Sequence, residues 1–569
     1  MMKKIIAFLA LGFLFQQASA QQKLPDDVSA SIQKRIEYGL APSIVVGIID
    51  KDGPQYYTFG NKTIGGQRVN EHSIYEIGSI SKTFTANLLA QMVLEGILKT
   101  DDAAQDYLPA SVKLPVRGGK QITLRNLSDH TSGLPRLPTN FSPKDAANPY
   151  ADYTEEQLYT FLNVCKLTRD IGSAFEYSNL AVGLLGHILS LKAGTSYESL
   201  MVKRIARPLG MKETKITFDK QMKKNLAIGH SNGVPVANWD LPALAGAGAI
   251  RSSLHDMLRY VAANMGLQKS KLTAAMNLTH QPRHDKTGDS TRVGLAWFIN
   301  KRAEGDIISH DGGTGGYRTF AGFVKEKGKG VVVMTNSDQS VNDIGLRLLS
   351  STAKLRAIKK SGMAAIKETL EKKGISAAQK TYEEIKKEKA LYEFDEDAIN
   401  QLGYSYLRID KRAEALVVFK INADQFPKSF NVYDSYAEVL MKDGNKDDAI
   451  INYKKSLELN PANTNAKAML VKLGVAEPVK DVIIDENILA TYVGEYELAP
   501  NFTITISQAG DRLFAQATGQ EKFELFAKSN TTFYLKVVPA QISFSPKDGK
   551  VNSLTLYQGG REIPGIRIK

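Results

Sequence analysis

Cysteine is nearly absent from these 569 residues. Cys165 stands alone, which excludes an internal disulfide, and no cysteine near the amino-terminal region is placed to carry a lipid. Long apolar runs are missing too. Beyond the first residues nothing approaches the roughly 18 consecutive apolar positions of a membrane-spanning helix. His130, His187, His230, His255 and His280 show no metal-ligand spacing, so neither a metal nor another cofactor is expected. Nucleic-acid motifs are lacking as well. The net charge is +13, but lysines gather between Lys354 and Lys389, where a solvated helical face accounts for them. Such a surface would still favour anionic envelope polymers. An apolar share of 43% with 23% charged residues is that of folded protein, which excludes a disordered chain.

What is present suggests three or four domains by length. Met1-Met2-Lys3-Lys4, the apolar run Ile5 to Phe15 and Ala18-Ser19-Ala20 read as a signal peptide over residues 1–20. Its removal leaves a chain beginning at Gln21, with the charge reduced by two to +11, exported and expected in the periplasm with no integral membrane segment.

The stretch Glu76-Ile77-Gly78-Ser79-Ile80-Ser81-Lys82 carries Ser-x-x-Lys ahead of an apolar helical run through Leu88, Leu89 and Met92. If Ser79 opens a helix, Lys82 lies one turn on, with its amine in reach of the hydroxyl. A desolvated lysine can take that hydroxyl's proton, and the helix N-terminus favours a developing oxyanion. Alone, the same four residues also describe an N-cap serine before a buried helix, with a solvated lysine.

Around it the pattern is α+β. Leu24 to Leu40 reads as an amphipathic helix. Ser43 to Asp50 reads as a strand, with a turn at Asp52-Gly53 and a partner strand at Gln55 to Gly60. Helices follow from Ser81 to about Leu98, at Glu155 to Val164 and at Ala181 to Ala193. Strands follow at Gly294 to Asn300, Ile307 to His310, Phe320 to Lys325 and Gly330 to Thr335. Terminal strands around a helical middle predict one antiparallel sheet with helices packed on it.

Two further polar clusters stand in this region. Tyr177-Ser178-Asn179 precedes the apolar helix Leu180 to Leu191. A phenol near a lysine can act as a general base and an asparagine can bond an amide, although a helix cap with a core tyrosine reads the same way. The other is Ser309-His310-Asp311-Gly312-Gly313-Thr314-Gly315-Gly316, where glycines allow close backbone approach and leave N–H groups free; a glycine-rich hairpin with a surface histidine is equally compatible.

The three clusters, in this order, resemble the penicillin-binding-protein-like serine hydrolases: class C β-lactamases, D-alanyl-D-alanine carboxypeptidases and related aminopeptidases and esterases. Leu127-Ser128-Asp129-His130-Thr131-Ser132-Gly133-Leu134, Pro208-Leu209-Gly210-Met211 and Ala245-Gly246-Ala247-Gly248 agree with it, over about residues 30–350. The resemblance implies Ser79 as acylated nucleophile, Lys82 as its proton partner and Tyr177 as general base. It further implies Asn179, His310 and Gly312 as substrate contacts, and the N–H groups of Ser79 and Gly313 as oxyanion hole. His130 reads as structural. The triplet His310-Asp311-Gly312 departs from the Lys-Thr-Gly usual in β-lactamases. A mostly neutral histidine replaces a fixed cation, which points towards the carboxypeptidase, aminopeptidase and esterase branches. The implied substrate is a β-lactam, a D-amino-acid peptide or an ester. A catalytically silent binding or sensing protein is the alternative from another class.

The domain expected over 21–355 is followed by a repeat. Gly403, Tyr406, Ala415, Phe419 and Pro427 recur 34 residues later as Ala437, Leu440, Ala449, Tyr453 and Pro461. This resembles the tetratricopeptide repeat, with residues 362–475 as paired helices that serve as a spacer or bind a protein or peptide partner. From about residue 480 to 569 the period becomes alternating, as in Phe502-Thr503-Ile504-Thr505-Ile506. With Tyr492-Val493-Gly494-Glu495-Tyr496, it resembles a small β-barrel module attached to such hydrolases.

Overall fold

The computed structural model describes residues 23–285, 291–475, 484–500, 502–538, 540–547, 550–558 and 561–569. The expected signal peptide lies outside them, as does the expected boundary at Glu477-Pro478. The chain divides into two units, residues 1–358 and 359–569. No helix among the described residues is long and apolar enough to cross a membrane.

In the first unit, α1 (Asp26–Glu37) precedes the hairpin β1 (Ser43–Asp50) and β2 (Gly53–Gly60), joined at the Asp52-Gly53 turn. The short strand β3 (Ile74–Glu76) leads through a 3₁₀ turn, Gly78–Ile80, into α2 (Ser81–Leu94). Helix α3 (Asn179–Ala193) follows, then β4 (Arg251–Ser253), paired antiparallel with β3, and α4 (Leu254–Met265). The strands β5 (His284–Asp285), β6 (Arg292–Val293), β7 (Phe298–Arg302), β8 (Gly305–Gly313), β9 (Arg318–Val324) and β10 (Lys329–Thr335) come next, and α5 (Asn342–Leu349) ends the series. Eight strands form one antiparallel sheet in the order β2-β1-β10-β9-β8-β7-β6-β5, so the first and last strands of this unit pair with each other, one strand in from an edge.

Both faces of that sheet are covered, which is why β1 reads as an unbroken apolar run. Ile44, Val46 and Ile48 pack with Val331 and Val333 against Val28 and Ile32 of α1 and Ile344 and Leu348 of α5. On the opposite face Val45, Val332 and Met334 join α2 and α4 through Phe84, Leu88, Leu254 and Leu258. Helix α2 is buried nearly all round and therefore lacks an amphipathic stripe.

Sequence periodicity misplaces one edge. The strand expected from Gly294 begins only at Phe298, because Ala296 adopts φ 61° in a turn closed by the Gly294 N–H on the Trp297 carbonyl (2.9 Å). Trp297 is fully buried there, with its ring among Tyr260, His280 and Phe323.

The second unit contains seven helices between Gly362 and Lys472, then a closed barrel of eight next-neighbour antiparallel strands from Gly494 to Arg567. Gly403 admits the Phe419 ring at a distance only a glycine allows, and Ala415, Ala437, Ala449 and Tyr453 are fully buried. Barrel closure pairs Tyr496 with Arg567, and the interior is filled by Tyr496, Ile504, Leu513, Phe533, Ile542 and Phe544.

Candidate active site

Ser79 sits in the 3₁₀ turn that runs into α2, two residues before the helix that the sequence pattern starts at Ser81. From Ser73 to Met92 it is the one residue that is not buried. Two glycines make this presentation feasible. Gly78 has φ 51°, and a Cβ there would lie 2.6 Å from the Gly313 nitrogen. A Cβ on Gly312 would lie 2.0 Å from the Ile77 carbonyl oxygen, which also accepts from Thr319 Oγ1 at 2.9 Å. Gly312, expected as a substrate contact, is thus buried against the nucleophile's own turn. Its missing side chain lets β8 approach that turn. The same approach brings the Ser79 and Gly313 peptide units together.

Lys82 is fully buried. Its Nζ lies 3.0 Å from Ser79 Oγ and donates to Asn179 Oδ1 (2.8 Å) and to the Ala247 carbonyl (2.7 Å). Burial pushes its pKa well below the ordinary 10.5, and the Arg136 charge adds to this; Asp311 opposes it. No carboxylate pairs with it among the described residues.

Tyr177 and Asn179 are delivered by the start of α3. The Ser178 hydroxyl caps this helix at the Ala181 N–H (2.9 Å), and the Arg136 carbonyl accepts from the Asn179 N–H (3.1 Å). Asn179 Nδ2 donates to the Tyr150 hydroxyl at 3.2 Å. Tyr177 is half-buried. Burial raises its pKa above the usual 10.0, and a hydrogen bond with Ser79 acts in the opposite sense. Two cations lie over its ring, Lys82 Nζ at 4.8 Å and the Arg136 guanidinium carbon at 5.3 Å.

Two histidines flank Tyr177. His130 stacks on its ring (centroids 4.5 Å apart, planes 29°) and accepts the Ser178 N–H at Nδ1 (3.1 Å), so its proton is on Nε2. Its backbone is left-handed at φ 65°, with its carbonyl accepting the Glu176 N–H. The second is His310, centroid 6.2 Å from the Tyr177 ring and 5.2 Å from that of Phe298. Its Nδ1 lies 2.6 Å from the Asp311 carbonyl and must therefore be the donor. Burial lowers its pKa to about 4, against the opposing influence of Asp311. The ring is 2% exposed. His310 was expected to touch substrate; the structure covers it and leaves it neutral.

Sequence reasoning assigned no role to Arg136, Tyr150 or Trp239, and it read His130 only as structural. Arg136 is exposed, and no carboxylate pairs with it among the described residues. Trp239 packs against Tyr150 (5.5 Å) and against Gly315 of the glycine-rich turn. The quoted word around His130 was the signal for that residue; the other three lie on connections without periodic pattern.

The β-lactamase family model matches residues 29–351, more than half of the chain, and a domain of unknown function, DUF3471, matches residues 479–565. The D-alanyl-D-alanine-carboxypeptidase/endopeptidase AmpH of Escherichia coli (strain K12) is 29% identical over 339 residues, covering 56% of this chain and 86% of that protein. A β-lactamase of Pseudomonas fluorescens is 28% identical over 349 residues, covering 55% and 93%. Among solved structures, a class C β-lactamase superposes with TM-score 0.51 at 26% identity, covering 58% of this chain and 97% of that one. A β-lactamase/D-alanine carboxypeptidase of Pseudomonas syringae, 21% identical with TM-score 0.51, covers 58% and 98% and shares the fold. With a serine, a buried lysine and a tyrosine gathered at one turn of that fold, this chain belongs to the β-lactamase family and is a serine hydrolase.

Proposed function

We propose that this protein is an exported, periplasmic acyl hydrolase that cleaves D-amino-acid peptides through an acyl-enzyme on Ser79, with β-lactams as poorly released acyl donors. The shell of Lys82 carries this reading. A neutral amine has two N–H groups and one lone pair. Asn179 Oδ1 and the Ala247 carbonyl take the former, leaving the lone pair for the Ser79 hydroxyl. Burial without a carboxylate partner favours that neutral state.

Ser79 Oγ then attacks the carbonyl carbon while its proton passes to Lys82. The oxyanion is received by the N–H groups of Ser79 and Gly313, each such donor being worth on the order of 10²–10³ in rate. The sequence expectation made Tyr177 the general base. Its raised pKa instead supports a protonated phenol in the resting enzyme, one that donates to the departing amine and is recharged from Lys82. Water then attacks the ester carbonyl: Tyr177, having passed its proton to Lys82, takes one from the water, and Lys82 returns its extra proton to Ser79 Oγ as the ester bond breaks.

The peptide preference rests on charge. A neutral His310 supplies no fixed cation where a β-lactamase lysine would stand, and Arg136 offers one 5.3 Å from the centre of the Tyr177 ring. We assign it the substrate carboxylate. The relative named as a D-alanyl-D-alanine-carboxypeptidase/endopeptidase supports the same class. We assign residues 21–355 to this hydrolase, 362–475 to tetratricopeptide-like repeats that act as a spacer or hold a peptide, and 480–569 to an accessory barrel.

Intact-protein mass after mixing wild type and Ser79→Ala with a penicillin tests the proposal. The expected result is a wild-type adduct persisting for minutes, none in Ser79→Ala, and release of D-alanine from D-alanyl peptides by wild type alone. An adduct that vanishes as penicilloate accumulates would make the protein a β-lactamase. No adduct and no D-alanine release would overturn the acyl-enzyme reading for these substrates.

A further inference from the structure

Beyond the Ile74–Ser253 end of the β3–β4 pair, the end remote from Ser79, lies a cluster that takes no part in the chemistry above. Among the described residues, His72, Glu213 and His255 are the one group of three metal-ligating side chains whose ligand atoms all fall within 4.8 Å of one another. They come from three separate segments: the turn before β3, the loop at Glu213 and the first turn of α4. None is fully buried; their side chains are 43%, 23% and 28% exposed.

We propose that these three residues bind one divalent transition-metal ion, zinc by preference, and that the ion clamps the strand pair carrying the Ser79 turn. Zinc bonds to imidazole nitrogen and carboxylate oxygen of about 2.0–2.2 Å put two tetrahedral donors about 3.3 Å apart. His72 Nδ1 already stands 3.1 Å from both Glu213 carboxylate oxygens. His255 is tilted towards His72 with ring centroids 5.1 Å apart, so a small side-chain rotation brings in the third donor.

The outer contacts are those a metal-bound imidazole uses. His255 directs Nδ1 to Asp256 Oδ1 (3.3 Å), which leaves Nε2 for the ion; His72 directs Nε2 to Glu71 Oε1 (3.7 Å), which leaves Nδ1. Glu213 is held by the Ser253 hydroxyl at 2.6 Å, and its own N–H donates to Asp256 Oδ2 at 2.6 Å. A backbone bond from the His255 N–H to the Glu71 carbonyl (3.0 Å) ties the first and third segments before any ion arrives. Three carboxylates therefore surround two imidazoles. Arg259, the nearby cation on α4, directs its guanidinium to the Leu209 carbonyl (3.5 Å). Two imidazoles and one carboxylate select zinc, cobalt or nickel over magnesium and calcium, and three protein ligands leave a position for water.

The direct test is zinc titration of the untagged full-length chain by calorimetry, with cobalt(II) absorption as a second readout. The expected result is one zinc ion per chain, a raised melting temperature on binding, and the visible bands of tetrahedral cobalt. His72→Ala and His255→Ala should each weaken binding by about tenfold or more and remove those bands, whereas Ser79→Ala should leave both unchanged. His72→Gln, which keeps a donor towards Glu213, guards against a folding defect, and it too should lose the cobalt bands. Absence of stoichiometric zinc binding by wild type, or retention of full stoichiometry in His72→Ala/His255→Ala, would overturn the assignment.

Discussion

Arg251 and Lys82 are both buried cations, and both serve the short segment that presents Ser79, yet their surroundings are opposite in charge. Arg251 stands 3.3 Å from Glu76 Oε1 and 3.0 Å from Asp240 Oδ1, and it also donates to the Trp239 (2.8 Å) and Ile216 carbonyls. The hydrogen-bond partners of Lys82 are a hydroxyl, an amide oxygen and a carbonyl, with the Tyr177 ring 4.8 Å away. A buried charge without compensation costs several kcal/mol, so a cation kept for structure is paired. A lysine left unpaired relieves the same cost by giving up its proton. The two residues thus separate a cation used to hold backbone from an amine used to accept a proton. Glu76 marks the border, three residues from the nucleophile, with its own pKa raised by burial and lowered again by Arg251.

The sharpest way to break this comparison is to make Lys82 permanently charged. An arginine cannot be deprotonated in a protein, so Lys82→Arg should cut acylation by roughly 10²–10⁴ although a cation remains. Stopped-flow acylation with a chromogenic β-lactam measures it; an active Lys82→Arg enzyme would mean the positive charge, not the free amine, is what counts. The converse substitution is Glu76→Gln, which removes one of the carboxylates facing Arg251. Denaturant unfolding should report a loss of about 3 kcal/mol, at the low end for a broken buried pair because Asp240 remains. Acylation below the transition should change far less than in Lys82→Arg. If Glu76→Gln instead abolished acylation and left stability intact, the division between the two cations would fail.

How far the sequence already contained this arrangement depends on range. Ser79 and Lys82 are three residues apart, and a near-continuous helical turn sets their proximity, so the spacing offered the pair, while only the three clusters together pointed to its chemistry. Tyr177 and Asn179 were legible for the same local reason, as loop and cap of an apolar helix. The single central sheet followed from terminal strands with alternating or continuous apolar pattern. What sequence did not disclose is long-range. Ala247 lies 165 residues from Lys82, and nothing local marks its carbonyl as an acceptor. The state of His310 depends on its closeness to Tyr177 and Phe298 and on its burial, which lowers its pKa against the opposing influence of Asp311. The place of Gly312 depends on the Ile77 carbonyl, and Trp297 entered a turn because its ring had a core to fill. His255 had no metal spacing along the chain; the approach of three segments gives it neighbours.

A pH profile sharpens the comparison further. Lys82 has its folded pKa lowered well below 10.5, so acylation should rise with pH as the ammonium loses its proton, in a window below that value. Tyr177 is shifted upward from 10.0, so no alkaline loss from the phenol is expected near neutrality. His310, at about 4, stays neutral from pH 5 upward and should add no limb of its own. Tyr177→Phe should lower turnover by about 10²-fold or more while preserving the rising limb, because that limb belongs to Lys82. If the limb moves or vanishes in Tyr177→Phe, the titrating group is the phenol and the base assignment reverts to it.

The smallest effect concerns the third cation of the region, Arg136, which is exposed and unlike the other two free to meet a ligand. Its guanidinium carbon lies 5.3 Å from the centre of the Tyr177 ring, and its own carbonyl holds the N-terminus of α3, so its backbone is tied while its side chain lies over that ring. Arg136→Gln should raise KM for D-alanyl peptides with a free carboxylate by about tenfold, the worth of one charge-assisted hydrogen bond in a partly solvated site. For the corresponding peptide amides, KM should be unchanged. A second consequence separates binding from electrostatics at Lys82. Because the Arg136 charge helps lower the Lys82 pKa, the acidic limb of the pH profile should shift upward in Arg136→Gln for both substrates alike. A KM effect without that shift would keep Arg136 as a carboxylate anchor while leaving burial alone to deprotonate Lys82. A shift without the KM effect would make Arg136 part of the proton machinery and leave the peptide carboxylate to another group.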